Sequence, residues 1–267
     1  MNKTVSTLAA TGLLVAALSA CSVPTAGDAA PAATGPQGTP AATSTVQGGG
    51  ASKSFSVSQA APAIIPQDAS EDPYQRVLYD AEALQPILDD FWTEELSYYG
   101  LEFDTPDRFE YYVGDGNGTC GGEYSDGTNN AYYCSFDGDE HVAFDVDWLA
   151  SYLDEHPGDA VTFLVLSHEW GHAVQDTWVE QQPGVDYWEG PAQELNADCL
   201  AGVFWDNALR NGTVIEEDGD AEAVYGWLEA AGSGDWMDPG DHGTAEQRQQ
   251  AFSDGFTYDV DYCRTYY

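Results

Sequence analysis

The chain of 267 residues carries seven basic and 46 acidic residues, which give it a formal net charge of −39. A surface with this charge repels the phosphate backbone of nucleic acids, so nucleic acid is excluded as a partner. A hydrophobic content of 43%, with 13% aromatic residues, supports a globular core and excludes a wholly disordered chain.

Residues 1–20 have the pattern of a signal peptide. Lys3 precedes an apolar run that is too short to span a bilayer and ends in small residues. The sequence Leu18-Ser19-Ala20-Cys21 resembles the lipoprotein box of bacteria, in which the cysteine receives diacyl and palmitate chains. Cys21 is also the odd cysteine of five, and secreted proteins seldom leave one unpaired. We expect an extracytoplasmic protein held at the cell membrane by this lipid anchor alone, with an ordinary secretory signal as the alternative.

Residues 21–70 are rich in Ala, Pro, Gly, Ser and Thr and contain few large apolar side chains. Such a segment cannot bury enough surface to offset the entropy of ordering, so we predict a disordered tether. A flexible chain of about fifty residues spans roughly 40 Å and would hold a domain clear of the membrane. Residues 71–267 contain nearly all the aromatic residues and the other four cysteines, and we predict that they form the folded domain.

The first predicted helix of this domain begins at a proline. Pro86 suits the first turn of an amphipathic helix that continues to Leu96, because the apolar residues recur at helical spacing. The apolar residues before it, from Val77 to Leu84, are assigned to a separate short turn.

A hairpin and three further helices follow along the chain. Aromatic and alternating apolar residues predict strands at 132–136 and 141–145, joined by a turn at Asp137-Gly138. The remaining predicted helices lie at about 159–179, 191–210 and 244–256.

The four cysteines of the domain are expected to form disulfides in an oxidising compartment. Three pairings are possible, and no pair has the CxxC spacing of metal ligands. We favour Cys120 with Cys134, which closes a short loop, and Cys199 with Cys263, which would pin the C-terminal tail to the helix after Pro191.

The motif HExxH occurs at His168-Glu169-Trp170-Gly171-His172, inside an apolar helical stretch. Residues four apart lie on one face of a helix, so His168 and His172 can offer imidazole nitrogens to a single Zn²⁺. Glu169 would lie beside the metal, where a carboxylate can act as a catalytic general base. Two histidines on a helix surface are the alternative, but the apolar residues 161–166 predict a buried helix whose polar face borders a site.

A catalytic zinc site needs a third protein ligand and one open position. Gln175 and Trp178 occupy the places where HExxHxxGxxH would put Gly and His, so the third ligand must come from another segment. Glu194 and Asp198 form an i, i+4 pair on the next predicted helix. We assign Glu194 as the third ligand and Asp198 as the acceptor of a hydrogen bond from a metal-bound histidine. Two solvent-facing acids are the alternative in so acidic a chain.

His242 lies beside Gly243, just before the last predicted helix. As a catalytic residue opposite the zinc, its imidazole would stabilise the oxyanion that develops on a substrate. The alternative is a structural role, with Asp241 or Thr244 capping the helix and His242 bonded to the loop.

Together these motifs resemble the bacterial neutral zinc metallopeptidase family, which is gluzincin-like, with HExxH followed by ExxxD. The shared pieces are the segment from Cys120 to Cys134, His168 to His172 with Gln175, Glu194 to Gly202, and His242-Gly243-Thr244 with Gln247, Arg248 and Phe252. The resemblance implies a zincin-like peptidase fold, Zn²⁺ on His168, His172 and Glu194, and Glu169 as the general base. It implies no particular substrate, and Trp170 departs from the smaller apolar residue expected there.

We expect an α+β domain with a small antiparallel sheet and several helices. The working hypothesis is a monomeric zinc endopeptidase that hydrolyses peptide or protein substrates. The strand at 141–145 is expected to form the edge of the cleft, where an extended peptide would add by main-chain hydrogen bonds. The alternatives are a zinc-stabilised surface binding protein without catalysis and a zinc amidase that acts on cell-wall material.

Overall fold

The computed structural model describes residues 72–114, 119–120, 123–124, 130–136, 138–155, 158–185, 188, 190–232 and 242–266. The predicted signal peptide, Cys21 and the tether lie outside these residues, and so do Asp137 and Asp241. The described residues form seven helices, a three-stranded sheet and a two-stranded sheet, and the α+β fold class is confirmed. None of the described helices is long and apolar enough to cross a membrane.

The helices are α1 (Pro73–Ser97), α2 (Val146–Glu155), α3 (Ala160–Gln181), α4 (Pro191–Asn211), α5 (Asp220–Ala230), α6 (Ala245–Thr257) and α7 (Val260–Cys263). The strands are β1 (Arg108–Tyr112), β2 (Thr119–Cys120), β3 (Glu123–Tyr124), β4 (Ala131–Phe136) and β5 (Asp139–Asp145). Helices α3, α4 and α6 agree with the predicted helices to within two residues at each end. Helices α2, α5 and α7 were not predicted.

Helix α1 begins at Pro73 and continues through Pro86, so the prediction of a separate turn followed by a helix from Pro86 was wrong. Its first turn is capped by the Asp72 carboxylate, which accepts a hydrogen bond from the Tyr74 amide at 3.1 Å. Pro86 is exposed, whereas the buried positions keep helical spacing across it; they are Val77, Ala81, Leu84, Leu88, Trp92 and Leu96. Burial of this continuous stripe offsets the roughly 3 kcal/mol that an interior proline costs a helix.

Strands β4 and β5 form the predicted antiparallel hairpin, in which Tyr133 lies opposite Val142. Gly138, with φ of 78°, lies in the predicted turn between them. Strand β1 pairs with the other side of β5 in parallel, with Arg108 opposite His141. The sheet order is therefore β1-β5-β4, and the sheet is mixed instead of wholly antiparallel.

Strand β5 is the central strand of this sheet, so the prediction that residues 141–145 form the edge of the cleft was wrong. Every residue from His141 to Asp145 is buried, as expected for a strand covered on both faces. Strand β4 instead lies at an edge of the sheet, and it packs against α3. Local alternation predicted both strands, but only the distant partner β1 decided which of them is central.

Helix α2 follows β5 without a loop, because Asp145 caps it. The Asp145 carboxylate accepts hydrogen bonds from the backbone amides of Asp147 at 3.1 Å and Trp148 at 3.4 Å. This sharp turn places Trp148 and Tyr152 on one wall of the cleft.

Close contacts between helices determine how α3, α4 and α6 meet. A methyl group added at Gly171 on α3 would lie 3.0 Å from the Ala197 backbone on α4, so the two helices cross where only glycine leaves enough space. Methyl groups added at Gly202 on α4 or Gly255 on α6 would overlap backbone atoms of the other helix. Glycines at these crossings therefore bring the polar residues of α4 within reach of α3 and α6.

Both favoured disulfides are confirmed. Cys120 and Cys134 are bonded with their Cα atoms 5.6 Å apart, and Cys199 and Cys263 with theirs 5.4 Å apart. The second bond ties the short helix α7 to α4.

Candidate metal centre

The motif histidines lie at the middle of α3, which passes through the core. His168 is 4% exposed and Glu169 is 7% exposed, while the apolar residues before them are buried as predicted. Together with His172 they border a cleft of about 630 Å³. Trp170 points elsewhere: its indole N–H donates to Asp89 on α1 at 2.8 Å, so this departure from the family pattern does not line the cleft.

Helix α4 brings a carboxylate to both histidines. Glu194 lies in its first turn, where the helix dipole favours a negative charge. Its Oε2 atom is 3.3 Å from His168 Nε2, and its Oε1 atom is 3.7 Å from His172 Nε2. The two Nε2 atoms are 3.2 Å apart. The structure thus brings the three predicted ligands to one point.

Hydrogen bonds on the far side of each ring determine which imidazole nitrogen carries the proton. His168 Nδ1 is 2.8 Å from an Asp198 carboxylate oxygen, and His172 Nδ1 is 3.0 Å from the side-chain oxygen of Gln175. Both oxygens only accept hydrogen bonds, so both Nδ1 atoms are donors. In neutral imidazoles the two Nε2 atoms then carry lone pairs, and these lone pairs face each other and the Glu194 carboxylate.

The arrangement fits a zinc ion. Tetrahedral coordination with ligand distances near 2.1 Å puts neighbouring ligand atoms about 3.4 Å apart. The two Nε2 atoms are 3.2 Å apart, and each has one Glu194 carboxylate oxygen at a similar distance: Oε2 is 3.3 Å from His168 and Oε1 is 3.7 Å from His172. Two imidazole nitrogens and a carboxylate oxygen are also ligands that zinc prefers, so His168, His172 and Glu194 can hold this metal.

The charges around the three groups favour a cation between them. Burial lowers the pKa of His168, but the carboxylates of Asp198 and Glu194 outweigh this effect and raise it to about 10. Burial raises the pKa of Glu194, yet hydrogen bonds from His168 and His242 bring it well below its usual range. A proton or a metal cation at this point therefore reduces the repulsion between the Nε2 lone pairs and the Glu194 carboxylate.

Asp198 was predicted to orient a histidine, and the structure pairs it with His168 and also with Arg248 of α6. Arg248 donates to both Asp198 carboxylate oxygens, through Nε at 2.7 Å and through Nη2 at 2.7 Å. Asp198 is fully buried and Arg248 is 2% exposed. Burial raises the pKa of Asp198, but Arg248 and then His168 lower it by more than burial raises it. The net shift is downward, so the carboxylate stays ionised.

Glu169 lies beside the triplet without belonging to it. Burial raises the pKa of its carboxyl group, which the two motif histidines partly oppose. A backbone hydrogen bond from Tyr133 on the edge strand β4 reaches the same carboxylate. The side chain of Glu169 thus lies between its own helix α3 and the edge strand β4, at the cleft wall.

His242 also reaches the centre, through a hydrogen bond to one of the candidate ligands. Its Nδ1 atom donates to Glu194 Oε2 at 2.8 Å, and its side chain is about half exposed. Thr244 caps α6 with a complete capping box to Gln247, so the predicted capping by Thr244 and the contact of His242 with the centre coexist.

Two residues of the centre had no predicted role. Gln175 shares a helix face with His172, and the i, i+3 spacing was the signal for this contact. Arg248 had a weaker signal, namely its i, i+3 and i, i+4 spacing from Ala251 and Phe252 in a chain with only seven basic residues. A buried arginine requires an acidic partner, but the sequence does not indicate which of 46 acids it is.

An HExxH helix packed against a helix that carries an acidic residue is characteristic of zinc metallopeptidases. The chain belongs to the family described as "Putative neutral zinc metallopeptidase", which matches residues 37–266. This membership confirms the resemblance, supports a zinc peptidase in general and implies Zn²⁺ as the metal. No curated protein and no solved structure matches the chain.

Proposed function

We propose that this chain is an extracytoplasmic, lipid-anchored zinc endopeptidase. His168, His172 and Glu194 would hold the metal, and Glu169 would be the general base. The observation that carries the proposal is the convergence of two imidazole Nε2 atoms and a carboxylate on one point, with a second buried carboxylate beside it.

The edge strand β4 offers a way to bind an extended peptide. Because the Tyr133 amide faces Glu169, the main-chain groups of Ala131 and Ser135 face the same side of the strand. Both residues border the cleft. A peptide substrate would add to this edge through main-chain hydrogen bonds and so lie across the metal centre. This role replaces the one that the sequence had suggested for β5.

Zinc, when bound, would polarise the scissile carbonyl and lower the pKa of a water molecule. The Glu169 carboxylate would accept a proton from the attacking water and pass it to the nitrogen of the leaving amine. Burial makes Glu169 a stronger base than an exposed carboxylate because it raises its pKa. His242, at the cleft wall, would stabilise the oxyanion, and its hydrogen bond to Glu194 supports this placement close to the reacting group.

Metal analysis of the purified full chain, paired with digestion of a peptide library, tests the enzymatic part. We expect one zinc ion per chain, cleavage within peptides, loss of cleavage after chelation and recovery on addition of zinc. Bound zinc without cleavage of any peptide would contradict the proposal and favour a binding protein. Cleavage confined to cell-wall amides would favour the amidase.

The anchor is supported by the pattern that ends in Leu18-Ser19-Ala20-Cys21. We expect mass spectrometry of the mature protein from a bacterial host to find a diacylated Cys21 at the N-terminus, carrying palmitate or a similar acyl chain. An unmodified N-terminal peptide that begins after Cys21 would contradict the anchor and leave the enzymatic proposal unaffected.

A further inference from the structure

Gln175 makes hydrogen bonds with all of its amide groups and is 3% exposed. Its Oε1 atom accepts from His172 Nδ1 at 3.0 Å. Its Nε2 atom donates to the backbone carbonyl of Gln193 at 2.8 Å and to the Asn196 side-chain oxygen at 2.9 Å. A candidate metal-binding histidine on α3 is thereby connected to the first turns of α4.

The orientation of the Gln175 amide is determined by neighbouring groups that can only accept hydrogen bonds. A backbone carbonyl only accepts, so the amide nitrogen of Gln175 must face Gln193 and its oxygen must face His172. Asn196 is oriented in the same way, because its Nδ2 atom donates to the backbone carbonyl of Cys263 at 2.7 Å. The Asn196 oxygen therefore faces Gln175.

The far end of this chain of hydrogen bonds is firmly held. Cys263 is fully buried, and its disulfide to Cys199 ties α7 to α4 within one turn of Asn196. Asn196 itself is 1% exposed. The carbonyl that orients Asn196 thus belongs to a segment linked covalently to the same helix.

We propose that Gln175 and Asn196 are positioning residues, which form a relay from the disulfide-bonded C-terminal segment to His172 and keep the His172 proton on Nδ1. The inference rests on the proposed metal site. If the Gln175 amide flipped, its nitrogen would face His172 Nδ1 and the ring proton would move to Nε2, where it would block the metal. The flip would also put the Gln175 oxygen against the oxygens of Gln193 and Asn196, so the relay disfavours it.

The test compares variants of the full chain in two measurements. Chelator competition at constant pH gives the dissociation constant for zinc, and ¹⁵N NMR of the metal-free protein identifies the tautomer of His172. We expect Gln175→Met to raise the zinc dissociation constant about 10- to 100-fold, in line with the loss of an outer-shell partner, and to populate the Nε2-protonated tautomer. Asn196→Leu should cause a smaller change in the same direction, because Gln193 still orients the Gln175 amide.

Two further variants separate positioning from general support of the fold. Gln175→Glu keeps an acceptor for His172 Nδ1, so it should restore the tautomer that Gln175→Met loses. Thr177→Val is the matched control on the same helix, since Thr177 is 1% exposed and accepts a hydrogen bond from the Asp104 amide at 3.3 Å, away from the metal centre. It should lower the melting temperature without changing zinc affinity or tautomer.

An unchanged tautomer and an unchanged zinc dissociation constant in Gln175→Met and Asn196→Leu would overturn the relay. An equal loss of zinc affinity in Thr177→Val would overturn it as well. If Gln175→Met does not fold, Asn196→Leu decides by the same two measurements. Neither measurement uses peptide cleavage, so a wild-type chain that binds zinc but cuts no peptide would refute the endopeptidase and leave the relay standing.

Discussion

We expect Glu169→Gln to keep its zinc and to lose peptide turnover by a factor of about 10² to 10⁴. Glutamine has nearly the shape of glutamate, so the cleft between α3 and β4 should stay intact. An uncharged amide, however, cannot accept a proton from water at neutral pH. The rate constant kcat for a peptide identified in the library digest measures the loss, and metal analysis of the same sample measures zinc.

Glu180→Gln provides the control for this substitution. Glu180 lies on the same helix, is exposed and does not border the cleft. Its variant should turn over peptide at the wild-type rate. Wild-type turnover in Glu169→Gln would refute the general base, whereas loss of zinc from that variant would assign Glu169 to holding the metal.

Asp198→Asn should lower the free energy of unfolding by about 3 to 5 kcal/mol, the usual cost of removing one partner from a buried ion pair. The buried Arg248 guanidinium makes two hydrogen bonds of 2.7 Å to this carboxylate, and asparagine would leave its charge unpaired. Zinc affinity should fall at the same time, because an uncharged amide oxygen is a weaker acceptor for His168 Nδ1 and orients its ring less firmly. Urea unfolding of the metal-free protein measures the first effect and chelator competition the second.

A double-mutant cycle shows whether this pair acts as a unit. Arg248→Met removes the charge that Asp198→Asn leaves unpaired, so the double variant should be less destabilised than the sum of the single variants. Asp206→Asn is the control, since Asp206 pairs with the exposed Arg210 and should contribute at most about 1 kcal/mol. Strict additivity would contradict the coupling of Asp198 and Arg248.

Each candidate ligand of the metal has its own hydrogen-bond partner. Asp198, held by Arg248, orients His168, while Gln175 accepts from His172 and His242 donates to Glu194. The geometry of the candidate metal centre therefore depends on the packing of α3, α4 and α6. A substitution that shifts one of these helices should weaken zinc binding without touching a ligand.

Much of this centre could be predicted from local spacing. The i, i+4 spacing of His168 and His172, and that of Glu194 and Asp198, places each pair on one face of its helix. The alternation at 132–136 and 141–145 predicted the hairpin. These features depend on residues close together in the chain, where backbone geometry alone determines which side chains are neighbours.

The sequence by itself determined the helix with its two histidines, the acidic pair on the next helix, the hairpin and the class of metal. Only the tertiary structure decided that Arg248 is the partner of Asp198, that Asn196 and Cys263 support Gln175, and that β4 is the edge strand. It also decided that α1 continues through Pro86. The physical reason is the same in each case: these outcomes depend on burial and pairing between residues far apart in the chain, and local periodicity contains no information about such contacts.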